Sequence, residues 1–155
     1  MRNINLNLYD DLKGELKAST SKMIVFKYPD IIRFSLGGLK TLMTFLREDP
    51  DFLMDTLVFD KIVGKSAAAL LVLARVKEVY AEVISEHAVK LFDYYKIKFE
   101  YNQKVPFIEN KARNGFCPIE LISIQCEFPT EIYIKLYGLY SKIPSEMEGW
   151  SKIFK

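Results

Sequence analysis

Helical and extended segments alternate through the middle of this chain after an opening hairpin, which predicts a three-layer α-β-α sandwich on a mixed sheet. The hairpin is one observation: Lys22–Tyr28 and Ile31–Ser35 are apolar stretches on either side of a Pro29-Asp30 turn. The other is the sequence of apolar helix, strand, capped helix and strand from Asp60 to Asn102. Antiparallel pairing in the hairpin makes the sheet mixed rather than wholly parallel.

The elements follow in order. Tyr9 to Ala18 is a short helix, with Leu12 and Leu16 a turn apart and Asp10 or Asp11 near its start. Gly37-Gly38 interrupts the pattern before a helix over Leu39–Arg47, whose stripe is Leu42, Phe45 and Leu46. Asp60 reads as the cap of the next helix, which continues into the apolar run Ala67–Ala74. Val76–Ile84 is a strand, and Ser85 caps the helix that carries Glu86 in its first turn. Ile97–Asn102 is another strand, and Val105–Ile108 is a short extended piece. Cys117-Pro118 opens a further helix, because proline suits the first helical position. A last helix from Pro129 carries Ile132, Leu136 and Leu139, then frays around Pro144 and Gly149. With 155 residues the chain has room for one domain over 1–127, with 128–155 as a helical extension packed on it.

Composition narrows the function. Half the residues are hydrophobic, which rules out disorder as the main state. A formal charge of +2 with no basic block gives no support to nucleic-acid binding. The longest apolar run is too short to span a bilayer, and the N-terminal stretch lacks the apolar core of a signal peptide. Two cysteines nine apart do not make a disulfide framework, so the expected location is cytoplasmic.

The start of the Asp60 helix draws the chemistry. Lys61 and Lys65 would lie four apart on one helix face, where like charges repel by about 0.2–0.5 kcal/mol. An anion at the helix N-terminus would account for the pair, since the dipole and free amides favour one there. The alternative is an aspartate cap with two solvated lysines. Cys117, at another helix start, is the candidate nucleophile, because free N–H groups lower a thiol pKa. It reads equally as a small buried hydrophobe. Glu120 stands three residues on, where a capping-box carboxylate reaches back to the cap's N–H. His87 is the only histidine, so no other base could serve a histidine-dependent triad. One histidine and two cysteines without a CxxC pair do not suggest zinc, and Val63-Gly64-Lys65-Ser66 lacks the earlier glycine of a P-loop.

Three motifs occur in order: Asp60-Lys61-Ile62-Val63-Gly64-Lys65-Ser66-Ala67-Ala68, Val79-Tyr80-Ala81-Glu82-Val83-Ile84-Ser85-Glu86 and Asn114-Gly115-Phe116-Cys117-Pro118-Ile119-Glu120. Together they resemble a small prokaryotic family, domain of unknown function 1893, over roughly residues 8–127. The resemblance implies a cytidine-deaminase-like fold with the Asp60 helix in the place of the zinc-ligand helix. True deaminases of that fold carry His-x-Glu and Pro-Cys-x-x-Cys there. This chain has neither, so no metal and no other cofactor are expected.

The resulting expectation is an anionic or nucleotide-like small molecule bound in a metal-free pocket. Lys61, Lys65, Ser85, Glu86, Asn114 and Glu120 would contact the ligand, and Cys117 and Asp60 would carry any catalysis. The alternatives are a non-catalytic ligand-binding or regulatory domain, or a homodimeric assembly protein.

Overall fold

The structure is a computed structural model, and it describes residues 4–36 and 38–141. Helix α1 (Leu6–Ala18) starts earlier than its acidic residues suggest. Asn5 caps it, accepting from the Leu8 N–H at 2.8 Å, while Asp10 and Asp11 lie within the helix. The hairpin forms as expected, with β1 (Met23–Lys27) antiparallel to β2 (Asp30–Phe34) and Val25 opposite Ile32. Helix α2 (Leu39–Glu48) buries Leu42 and Met43, with Phe45 and Leu46 partly covered. Gly37 lies outside the described residues, as does the expected fraying around Pro144 and Gly149.

The largest departure concerns Asp60. It lies in strand β3 (Leu57–Val63), and helix α3 (Lys65–Leu73) begins only after Gly64. Leu57, Val58 and Phe59 before it and Ile62 and Val63 after it are β-branched, aromatic or leucine, which suits a pleated surface. Pairing on both sides then outweighs the local cap signal: Asp60 faces Met23 of β1 and Ala81 of the next strand.

That strand, β4 (Glu78–Ser85), leads directly into α4 (Glu86–Tyr95), followed by β5 (Lys98–Val105), α5 (Pro118–Ile124) and α6 (Pro129–Ser141). The sheet order is β2-β1-β3-β4-β5, with β1 antiparallel to both neighbours and β3, β4 and β5 parallel. The chain is thus mixed α/β, with five strands and six helices among the described residues.

Alternation along the strands sends side chains to two faces. Ile24, Phe26, Leu57, Phe59 and Tyr80 meet Tyr9, Leu12 and Leu16 of α1. Tyr9 lies 5.3 Å from the Phe59 ring, centroid to centroid, and its hydroxyl donates to Glu100 at 2.6 Å. Met23, Val25, Val58, Val79 and Ala81 face the other way, into a core completed by α2 to α6. Helix α3 is central to that side, with Ser66 through Leu71 all buried. Ile132 and Leu136 of α6 are fully buried in the same core, so the last helix packs with α3.

A candidate functional site at the start of helix α3

Helix α3 has an N-terminus without a local cap. Gly64 is its cap residue and offers no side chain, which leaves the first amides to find partners elsewhere. Glu120 of α5 supplies them. Its carboxylate accepts from the Lys65 N–H at 3.1 Å and from the Ser66 N–H at 3.3 Å, one bond to each oxygen. The negative group at this helix start is therefore a side chain of the protein, from a residue 55 positions later, in place of the ligand anion expected from the sequence. Gly64 has an ordinary extended φ, and glycine is required there for space: a Cβ would fall onto the Glu120 carboxyl group. Burial pushes the Glu120 carboxyl up, opposed by the Lys65 and Ser66 N–H groups and by the charges of His87 and Lys65. Glu120 thus caps a different helix from its own, and the capping-box reading is corrected.

The two lysines do not share a face. Lys61 lies on β3, and its ammonium donates to the carbonyl of Ser19, the residue that ends α1, at 2.9 Å. Lys65 opens α3 and donates to the carbonyl of Cys126, just past α5, at 2.6 Å. Each ammonium therefore sits at the carboxyl end of a helix, the end that favours a cation. The paired anion clamp expected from their spacing is not present, because β3 continues through Lys61 and sends it away from α3.

Beside the Glu120 carboxylate lies a cavity of about 220 Å³, lined by Leu39, Asp60, Ile62, Ala67, Ile108, Cys117, Ile119 and Glu120, together with Gly38, Gly64 and Ser66. Asp60 and Cys117 both line this cavity, and Asp60 arrives on a strand rather than at the helix start expected from the sequence. Asp60 is 4% exposed, and burial raises its carboxyl to about 7 against the backbone N–H groups of Ile62 and Lys61. Cys117 is a partly exposed free thiol whose own N–H donates to Ile108 at 2.9 Å. Tyr140 of α6 is close enough to feel the charge of Cys117, and burial is the main cause that pushes its phenol up.

The remaining candidates stand apart from this cavity. Ser85 is fully buried and caps α4, accepting from the Ala88 N–H at 3.1 Å. Ser85→Ala should therefore cost about 1 kcal/mol in urea unfolding with an unchanged slope. A variant as stable as the parent would show that this cap contributes nothing. Glu86 is exposed in the first turn of α4. Asn114 is exposed in the loop before α5, where it accepts from the Asn110 side-chain amide at 2.8 Å. Lys65 reaches a second groove, with His87 and Lys90. Leu39, Ile108 and Ile119 were missed as cavity residues, because apolar side chains carry no signal of a cavity in their spacing.

Among the described residues, no group of three His, Cys, Asp or Glu side chains could hold a metal ion, and no helix is long and apolar enough to cross a membrane.

These features define a mixed α/β protein with an internally capped helix start and an acid-lined cavity beside it. The sequence model of the family described as domain of unknown function (DUF1893) matches residues 11–138, and the chain belongs to that family. The match runs past residue 127 into α6, further than the three motifs reach. The chain is also similar to the crystal structure of a DUF1893 family protein from Thermotoga maritima. The two are 27% identical, over 90% of this chain and 94% of that one, with a TM-score of 0.79. No curated protein matches this sequence.

Proposed function

We propose that this chain binds a small molecule in the cavity between β3, the first turn of α3 and α5, with Asp60 exchanging a proton and Cys117 presenting a nucleophilic thiol. The observation that carries this reading is that the buried Asp60 carboxyl, pushed up to about 7 by burial, lines the same cavity as a free thiol. A carboxyl poised there can accept or donate a proton at physiological pH, which an ordinary aspartate cannot. The charge of the expected ligand changes. Among the described residues, no lysine or arginine lines this cavity and two carboxyl groups do, so it favours a ligand that presents hydrogen-bond donors.

The finer fold assignment, cytidine-deaminase-like, belongs to the same proposal. It is supported by α3 and α4 starting side by side at the carboxyl ends of the parallel strands β3 and β4. The 128–155 extension as part of this one domain and a cytoplasmic location are likewise proposed. A non-catalytic binding domain keeps the cavity and dispenses with the thiol.

Thiol alkylation of the folded protein tests the proposal. Cys117 should react with iodoacetamide while Cys126, which is buried, is spared. Asp60→Asn should change the pH dependence of that reaction near neutrality. A Cys117 that reacts only on unfolding removes the nucleophile. A pH profile that Asp60→Asn leaves untouched removes Asp60 as its partner.

A further inference from the structure

On the other flank of α3 lies a groove of about 310 Å³ that the Asp60 cavity does not share. His87, Lys90, Leu91 and Tyr94 recur along α4 at three- and four-residue spacing and so form one stripe facing the groove. Lys65 of α3 and the Glu127-Phe128 segment form the opposite side, and Tyr95 completes the lining. Two ammonium groups and an imidazole therefore meet three aromatic rings in one recess, with the buried Leu91 beneath.

The positions are suited to capture. Lys65 is held in place by its bond to the Cys126 carbonyl, and an ammonium retains two further donors. Lys90 is exposed on the same side as His87, three residues further along α4. Tyr94 is 74% exposed and Phe128 46% exposed, which leaves ring surface open to solvent at the mouth. The Tyr94 and Tyr95 rings meet edge to face with centroids 4.9 Å apart. A flat aromatic partner would bury that ring surface, and an anion would pair with the cations.

We propose that this groove binds a phosphate-bearing aromatic small molecule, of which a mononucleotide is the simplest form. The phosphate sits among Lys65, His87 and Lys90, and the ring stacks at Tyr94 and Phe128. Glu127 stands where it can accept a hydrogen bond from a sugar hydroxyl or an exocyclic amine. The groove has the volume of a small-ligand pocket, and the chain carries a formal charge of only +2, which favours one nucleotide over a long strand.

Calorimetric titration of the full chain with AMP, adenosine and inorganic phosphate as separate probes tests this. AMP should bind saturably and more tightly than either adenosine or phosphate. Lys90→Glu, at an exposed position that leaves the fold intact, should weaken AMP at least about tenfold, as expected when a charge-assisted contact becomes a repulsion. Tyr94→Ala should weaken adenosine and AMP while leaving phosphate unchanged. The proposal is overturned if AMP does not saturate, if Lys90→Glu binds it as well as the parent, or if a single-stranded oligonucleotide binds and AMP does not. Loss of AMP binding in a protein whose Cys117 still alkylates as expected counts against the groove alone.

Discussion

Glu120→Ala should destabilise the protein by roughly 2–4 kcal/mol in urea unfolding, the cost of losing the two charge-assisted hydrogen bonds that cap α3. Glu120 is 3% exposed and its carboxylate accepts from two of the free amides of α3, so its removal leaves the Lys65 and Ser66 N–H groups without that acceptor. Glu120→Gln should fall between the two, because the amide retains one oxygen and turns an NH₂ toward the second N–H. The vacated helix start is then a general anion site, so acetate or formate should recover part of the loss in Glu120→Ala and none in the parent. Gly64→Ala reaches the same contact from the other side, since its methyl group meets the Glu120 carboxyl. Full stability in Glu120→Ala, without any carboxylate effect, would mean that α3 does not depend on this residue.

Asp60→Asn should stabilise the folded protein above neutral pH and change it little near pH 4. The folded carboxyl titrates at about 7, above the unfolded value of about 3.9. Between those values the native state binds the extra proton, so stability is fully present below the unfolded pKa and falls as pH rises through the folded one. The slope approaches about 1.4 kcal/mol per pH unit, and the whole effect is on the order of 4 kcal/mol by pH 8. An asparagine keeps an oxygen to accept from the Lys61 and Ile62 N–H groups that face Asp60, and it never charges. The difference in unfolding free energy between parent and variant isolates Asp60 from every other titrating group. A flat difference from pH 4 to pH 8 would place Asp60 in the ordinary carboxylate range and remove its role as a proton-exchanging group.

The two variants bear on different readings of one region. Glu120 explains why the chain has no need of an external anion at α3, and Asp60 explains how the cavity beside it could take part in proton transfer. An acceptor-rich cavity on one flank and a cationic, aromatic groove on the other divide what a single pocket was expected to do.

Much of the architecture is legible from local pattern. The Leu39 helix, the Val76–Ile84 strand, the Ser85 cap and the Cys117-Pro118 helix start appear where short-range signals put them, and the hairpin does too, with its turn one residue earlier at Tyr28-Pro29. Each depends on contacts within a turn or two, or on apolar periodicity, and both are visible along the chain. Asp60 defeated that reasoning. An aspartate before an apolar run looks like a cap, and only hydrogen bonding to β1 and β4 on its two sides makes it a strand residue.

By itself, the sequence determined the opening hairpin, the mixed sheet and the starts of α2, α4 and α5. The tertiary structure alone decided that Leu57–Val63 is a strand, that Glu120 caps α3, that Lys61 and Lys65 end on the carbonyls of Ser19 and Cys126, and that Asp60 and Cys117 line one cavity. The physical reason is that a buried charge is satisfied by whichever partner the fold brings within about 3 Å, and periodicity carries no information about a partner 55 residues away.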